Sequence, residues 1–183
     1  MYYKQSAGAV IVRMSIITAS WVRWVHHSQG QNCCQECVRL NGCLFLESKA
    51  PAWPHHPNCH CTLDPVDYST VLLVATAQSD YEKFDPYLFN TQGRHPHGKE
   101  KPFHEWCYTV TDTRWLQDEM ERQAREKYLS GDYMLGRLNK EGQRISIRIE
   151  IPRKNGEGTV SFISGWMVRP DGLIRLITPY GGK

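Results

Sequence analysis

Six of the chain's seven cysteines lie between Asn32 and Cys61, together with three of its eight histidines. Thiolate and imidazole groups are common zinc ligands, and a structural zinc site takes four such ligands in a tetrahedron. Cys34 and Cys37 have the Cys-x-x-Cys spacing that brings two sulfurs to one ion from a tight turn. Cys59 and Cys61 can supply two more sulfurs from a second loop. The spacing therefore predicts a structural zinc site whose four ligands are these cysteines.

One of the four ligands is not fixed by the spacing, because either His56 or His60 could replace one thiolate. The alternative to a metal site is a set of reduced, partly buried thiols in a proline-rich loop. A disulfide framework is disfavoured, since an odd number of cysteines cannot all pair and nothing marks the chain as secreted. We interpret the remaining cysteines, Cys33, Cys43 and Cys107, as small apolar residues.

A second group of reactive side chains lies in and after the loop "RHPHGKEK", which combines imidazoles with cations and has no matching cluster of carboxylates. An imidazole can take a proton from a ribose 2'-hydroxyl or give one to a leaving 5'-oxygen, and Lys or Arg can stabilise charge on the phosphorus oxygens. The group favours a phosphodiester substrate and requires no metal; the alternative is an ordinary polar surface loop. Its members are Arg94, His95, His97, Lys99, Lys101 and His104.

Length and composition are those of a globular protein with one ordinary domain or two small modules. The chain has 183 residues, 40% of them hydrophobic, and a net charge of +3 that permits an anionic partner without requiring one. The most apolar early run, residues 7–25, is interrupted by Arg13 and Arg23, so we expect no membrane span and no secretory signal. A change in composition near residues 68–80 predicts a boundary between residues 1–72 and residues 80–183.

The periodicity after this boundary predicts helices followed by strands. A short helix is expected from about Lys101, and a longer amphipathic helix follows Asp112, its predicted N-cap. The buried face of the longer helix is predicted to hold Leu116, Met120, Ala124 and Tyr128. From Arg144 apolar and polar residues alternate, which predicts a half-buried strand with one face formed by Ile145, Ile147, Ile149 and Ile151.

Two more strands complete the predicted sheet. The Asn155-Gly156 pair marks a turn before "TVSFISGWMV", where Gly165 suggests a bulge, and "RPDG" marks a turn before "LIRLITPY". The predicted fold is α+β: a small zinc-knuckle module followed by helices packed on an antiparallel meander sheet.

The cysteine-rich stretch resembles a known family. Its "CxxC", "LNGCLF" and "PHHPNCHC" segments are similar to the cysteine-rich tail of the MuF-type minor capsid proteins of tailed phages and prophages, over about a third of the chain. In those proteins the tail closes the head-morphogenesis domain, and a variable toxin domain can follow it. The resemblance implies a folded metal knuckle more than a capsid role.

Roughly the last hundred residues resemble an uncharacterised domain that ends many bacterial polymorphic toxins. That family has a His-Pro-x-Gly-x-x-Lys loop, then an alternating strand, a Gly-Trp pair and an Arg-Leu-x-Thr segment. The matching residues here are His95, Pro96, Gly98, Lys101, Gly165, Trp166, Arg175, Leu176 and Thr178.

Such domains look like members of the barnase, EndoU, colicin and RelE ribonuclease group, and this likeness implies roles for single residues. His95 is expected to be a general base or acid, and Thr178 a positioning hydroxyl. Lys101 and Arg175 are expected to stabilise the phosphate and the transition state. Trp166 is expected to pack in the core. Further candidates are His97, His104, Arg148 and Tyr180.

These patterns together predict a prophage-associated, toxin-like protein that cleaves RNA without a metal, through a 2',3'-cyclic phosphate. The alternatives are a non-enzymatic phage minor capsid or virion-associated structural protein and a zinc-dependent nucleic-acid-binding module that does not cut. The expected partners are an RNA substrate, a cognate immunity protein and phage head or portal proteins, with no membrane. The expected location is the cytoplasm or the virion.

Overall fold

The computed structural model describes residues 20–27 and 34–182. The apolar run at residues 7–25 lies outside this part except for its last residues, and Cys33 lies outside it. The cysteine-rich part forms an antiparallel three-stranded sheet in the order β2-β1-β3, with a short helix between β1 and β2. Its elements are β1 (Trp21–Val25), α1 (Gln35–Leu40), β2 (Leu44–Leu46) and β3 (Thr62–Val66).

A helix and a short strand connect this sheet to the rest of the chain. Helix α2 covers Tyr68–Val74, and β4 covers Thr76–Gln78. Two short turns of irregular helix follow, Tyr81–Lys83 and Phe84–Leu88. No helix in residues 20–27 and 34–182 is long and apolar enough to cross a membrane.

Two further helices precede the main sheet, close to their predicted positions. Helix α3 covers Glu100–Glu105, and α4 covers Thr113–Ser130. The four residues predicted to share the apolar face of α4 are all buried. Asp112 lies at the N-cap position, but its carboxylate accepts a hydrogen bond from the backbone N–H of Thr109 at 2.9 Å and so completes the preceding turn instead of capping α4.

The main sheet confirms the predicted α+β class, with three or more strands expected and five present. Its order is β4-β8-β7-β6-β5, with antiparallel neighbours throughout except for β4, which pairs in parallel with β8 at one edge. The four strands after α4 form the meander. They are β5 (Met134–Asn139), β6 (Gly142–Pro152), β7 (Thr159–Val168) and β8 (Leu173–Gly182).

Strand β6 shows how α4 is attached to this sheet. Its four isoleucines are buried on one face, as the alternation predicts. The paired register of β5 reaches only to Ser146, so the second half of β6 has no strand on that side. Side chains of α4 take its place: Gln123 bonds both the carbonyl and the N–H of Glu150, at 2.6 and 3.0 Å. Lys127 donates to the carbonyl of Arg148 at 2.6 Å.

The predicted irregularity at Gly165 is confirmed. Gly165 pairs with Thr178 while its neighbour Trp166 pairs with Leu176, so Ile177 is an extra residue in β8. A Cβ atom at position 165 would lie 3.1 Å from the Thr178 methyl group, a close approach that glycine permits. The bulge thus places the Thr178 side chain directly over Gly165.

The two sheets share one buried apolar cluster, although the division into residues 1–72 and 80–183 stays a prediction about folding units. The Tyr128 hydroxyl at the end of α4 donates to the carbonyl of Leu44, and the Trp21 ring meets the Tyr128 ring edge-on at 5.4 Å. Cys43 forms an isolated bridge with Pro170 in the turn before β8. Helix α4 and this turn therefore hold the cysteine-rich part against the main sheet.

Replacement of Tyr128 by Phe tests this attachment. The Tyr128→Phe substitution removes one buried hydrogen bond and keeps the ring, so we expect it to lower the free energy of unfolding by about 1–2 kcal/mol, measured by urea unfolding. Tyr68→Phe is the matched control, since the Tyr68 side chain is 46% exposed and its change should stay within about 0.5 kcal/mol. Equally small changes in the free energy of unfolding of both variants would show that the hydrogen bond to Leu44 contributes nothing to stability.

Candidate functional site

The structure brings the four predicted thiols into one cluster. Cys34 lies at the N-cap of α1 and Cys37 in its first turn, so one helical turn presents both sulfurs on the same side. The loop after β2 returns Cys59 and Cys61 to this side just before β3. A 2.6 Å contact between His55 and Glu36 fastens the returning loop to α1.

The spacing of the donor atoms is compatible with a bound metal ion. The sulfurs of Cys37 and Cys59 are 3.8 Å apart. With zinc–sulfur bonds of about 2.3 Å, two sulfurs of a tetrahedron are also about 3.8 Å apart. The donor atoms of Cys37, Cys59 and Cys61 lie within 4.8 Å of one another, and so do those of Cys34, Cys37 and His56. Cys37 is common to both sets, so the cluster can hold a metal ion centred near its sulfur.

Of the two histidines that could replace a thiolate, His56 is the one beside the cluster. Its Nε2 lies 3.3 Å from the Cys37 sulfur, and its Nδ1 lies 2.8 Å from the carbonyl oxygen of Pro57. That carbonyl requires a proton on Nδ1, so the lone pair on Nε2 faces the thiols, as in a metal-binding imidazole. His60 is exposed.

His26, at the end of β1, is a neighbour of the cluster that the sequence pattern did not indicate. Its Nδ1 lies 3.5 Å from the Cys61 sulfur, and its Nε2 is buried without a hydrogen-bond partner among the described residues. The cysteine spacing gave no signal for it, because His26 is distant in the chain and reaches the site only through the pairing of β1 with β3.

The electrostatics of the cluster favour a bound cation. Burial raises the pKa of the Cys37 thiol, and the neighbouring Cys61 and Cys59 thiols raise it further. Burial opposes ionisation of the Cys59 thiol, but hydrogen bonds from the backbone N–H groups of Cys61 and His55, together with those to the Cys61 and Cys37 thiols, lower its pKa to about 7. Closely spaced thiolates repel one another, and a divalent ion between them removes this repulsion.

A second cluster forms around Lys99, immediately before α3. The ammonium group of Lys99 donates to the hydroxyl of Tyr87 at 2.9 Å and to the hydroxyl of Thr178 at 3.0 Å. The Thr178 hydroxyl in turn donates to the carbonyl of Tyr180 at 3.0 Å. The turn at Phe84–Leu88, the loop before α3 and the bulge of β8 therefore meet at one ammonium group.

Two imidazoles flank Tyr87 in this cluster. The rings of His95 and His97 lie parallel with centroids 5.7 Å apart, and their centroids are 5.0 and 4.7 Å from that of Tyr87. The Nδ1 of His97 accepts the backbone N–H of Lys99 at 3.1 Å, so its proton is on Nε2, which is buried and has no acceptor among the described residues. The His95 ring is partly exposed.

The four residues predicted to be catalytic are not all in this cluster. His95 and Thr178 belong to it, linked through Tyr87 and Lys99. Lys101 is exposed on α3, and Lys99 instead makes the contact with Thr178. Arg175 shares the sheet face of Thr178, but its guanidinium bonds both oxygens of Asp80 at 2.9 and 3.0 Å. The roles of Lys101 and Arg175 stay predictions.

The further candidates have different surroundings. His97 belongs to it, and His104 is exposed and stacks on Phe89 at 6.2 Å. Arg148 donates to the Ser161 hydroxyl at 3.1 Å on β7, and the Tyr180 ring packs on Phe103 at 5.9 Å. Trp166 is fully buried, which confirms its predicted place in the core.

Tyr87 and Asn90 complete the site, and sequence reasoning did not single them out. The side-chain oxygen of Asn90 accepts the backbone N–H of His95 at 2.8 Å, which closes the loop before the histidines. Asn90 has a φ of 49°, a left-handed conformation that Asn tolerates better than most residues, and this preference is a usable sequence signal. No comparable signal marks Tyr87.

Residues 74–183 match the family described as Domain of unknown function (DUF6883). The chain belongs to the DUF6883 family. The match includes β4, all four strands of the meander and the complete Lys99 cluster, and it leaves the thiol cluster outside. No curated protein and no solved structure matches the chain. The description of the family names no activity.

Metal binding by the thiol cluster is directly measurable. Titration of the reduced chain with Co²⁺ should give one bound ion per chain and a sulfur-to-cobalt charge-transfer absorption. Cys37→Ser removes the sulfur common to both donor sets and should weaken binding by at least about 10-fold, since even groups that only support ligands are worth that much. Cys107→Ser, at an exposed thiol outside both donor sets, should bind as the parent does. Unchanged Co²⁺ affinity in Cys37→Ser would disprove the site.

Proposed function

We propose that the DUF6883 domain of this chain is a metal-independent ribonuclease that cleaves RNA through a 2',3'-cyclic phosphate at the Lys99 cluster. The observation that carries the proposal is the position of the Lys99 ammonium group, which bonds two hydroxyl groups beside two imidazoles. This combination of a cation, hydroxyls and paired imidazoles is suited to a phosphodiester, whose cleavage needs charge stabilisation and two proton transfers.

The two imidazoles have environments suited to opposite roles. The partly exposed ring of His95 can take the proton from the ribose 2'-hydroxyl as its oxygen attacks the phosphorus. His97 can act as the general acid in its imidazolium form, in which Nδ1 would pair with the Glu100 carboxylate 3.7 Å away and Nε2 would give its proton to the 5'-oxygen as the phosphorus–oxygen bond breaks. One bond forms and one breaks, and one proton moves at each end, so the step needs no further reactant.

Lys99 takes the role that the sequence pattern assigned to Lys101. Its ammonium group stabilises the negative charge that grows on the non-bridging phosphate oxygens. The hydroxyls of Tyr87 and Thr178 fix its position, because both accept hydrogen bonds from it. Thr178 thus keeps its predicted positioning role, and Arg175 is retained as a phosphate-binding residue.

The test of this mechanism separates Lys99 from Lys101. His95→Ala should lower the cleavage rate of a short RNA by about 100-fold or more and abolish the acid limb of the pH–rate profile, which protonation of the general base produces. Lys99→Met should cause a loss of similar size at every pH, since it removes charge stabilisation. Lys101→Met, an equal loss of charge from the exposed face of α3, should leave the rate within a few-fold.

Equal losses in Lys99→Met and Lys101→Met would contradict the assignment of Lys99. Full activity in His95→Ala would contradict the proposed base. Binding of RNA without cleavage by the parent chain would favour the nucleic-acid-binding alternative. Circular dichroism should show the same fold in every variant.

We also propose that the metal of the thiol cluster is zinc and that its role is structural. The donor set supports this, because the Cys37, Cys59 and Cys61 sulfurs, with Cys34 and His56 also close to Cys37, are ligands typical of closed, tetrahedral zinc sites. A structural zinc ion held by four protein ligands would leave no position for a water molecule, so the proposed cleavage does not involve it.

The biological role is proposed on the resemblances alone. A toxin of prophage origin would be neutralised by a cognate immunity protein, and a MuF-like tail would connect it to phage head or portal proteins. Expression of the full chain in bacteria should stop growth, and the Lys99→Met variant should not. Equal growth of both strains would favour the virion-associated structural alternative.

A further inference from the structure

A cavity of about 270 Å³ lies between the turn after β4 and the β6, β7 and β8 strands. Its walls are unusually rich in cations. Four basic side chains and two carboxylates line it, so two positive charges are unbalanced. They are Lys83, Arg144, Arg169 and Arg175, with Asp80 and Glu141.

The strand register builds this cavity. Arg144 on β6, Met167 on β7 and Arg175 on β8 are consecutive cross-strand partners, so the three side chains share one face of the sheet. With strands about 4.8 Å apart, the two arginines begin about 10 Å from each other, on either side of the methionine. Met167 is only 4% exposed and forms an apolar floor between the two guanidinium groups.

The cations of the cavity are not equally neutralised. Arg175 forms an ion pair with Asp80 at 2.9 Å, and Arg169 donates to the backbone carbonyl of Glu141 at 3.0 Å. Arg144 is exposed and forms no ion pair among the described residues. Arg144 is therefore the cation with the most freedom to bind an anion.

Lys83 connects the cavity to the Lys99 cluster. The Lys83 ammonium group lines the cavity and lies 5.9 Å from the centre of the Tyr87 ring, while that of Lys99 lies 5.1 Å from the same ring. On the sheet, Arg175 pairs with Met167 and Thr178 pairs with Gly165, two residues earlier in β7, so the two pairs are about 7 Å apart. One extended strand of RNA can span this separation with neighbouring phosphates.

We infer that this cavity binds a phosphate of single-stranded RNA next to the one cleaved, with Arg144 as its main ligand. The inference rests on the proposed ribonuclease activity. An arginine side chain binds phosphate oxygens through two parallel hydrogen bonds. The apolar floor leaves the guanidinium groups less hydrated than they would be at an open surface. A second phosphate held here would fix the direction of the strand across β8, β7 and β6.

Binding of an uncleavable probe tests the cavity separately from the chemistry. A short 2'-O-methyl RNA has no free 2'-hydroxyl, so its affinity for the full chain can be measured by fluorescence anisotropy over a range of salt concentrations. Arg144→Gln should weaken binding by about 10-fold. It should also reduce the slope of log affinity against log salt concentration by about one, the value for one lost phosphate contact. Arg122→Gln is the matched control, because it removes an equal charge from the ion pairs on the surface of α4 and should leave binding unchanged.

Equal affinity in Arg144→Gln and the parent, or an equal loss in Arg122→Gln, would overturn the phosphate site. Competition by polyglutamate at equal charge concentration would also overturn it, in favour of an acidic protein partner. Cleavage of ordinary RNA is measured separately. Arg144-dependent binding without cleavage would remove the proposed ribonuclease and keep the site, whereas cleavage with Arg144-independent binding would remove only the site.

Discussion

Burial of one face of helix α4 is the interaction on which both clusters depend. The same helix packs its apolar side chains into the core, completes the open side of β6 through Gln123 and Lys127, and reaches the cysteine-rich sheet through Tyr128. A helix with three such contacts cannot shift against one sheet without disturbing the other. The meander therefore has a fixed support, and the loops around it can carry polar groups at defined distances.

The two clusters are held together by different forces. The thiol cluster concentrates like charges as its cysteines ionise, so its geometry is stable only with protonated sulfurs or with a cation. The Lys99 cluster places one ammonium group between neutral hydroxyls and leaves its charge unpaired by any carboxylate within those contacts. The thiol cluster is therefore suited to a cation, and the Lys99 ammonium group to an anion.

The sequence was sufficient for features set by local periodicity. Alternating isoleucines predicted β6 and its buried face, the 3.6-residue spacing predicted α4, and Gly165 predicted the bulge. These features depend on neighbours along the chain, where side-chain period and backbone freedom decide the outcome.

Features that depend on distant parts of the chain were missed or displaced. Lys99 and Lys101 look equivalent in the sequence, but helix α3 begins between them and only Lys99 faces Thr178. Tyr87 and His26 reach their clusters through strand pairing and loop closure, which no local pattern reports. The parallel strand β4 was missed because three residues are too few to show a period.

That short strand has a consequence for how the domain can be isolated. Thr76–Gln78 covers the outer side of β8 through parallel pairing along Leu173 to Arg175. A fragment beginning at residue 80 would leave the backbone N–H and carbonyl groups of β8 uncovered along this row. Because unpaired strand edges of different molecules form hydrogen bonds with one another, we expect such fragments to self-associate into extended sheets and lose solubility.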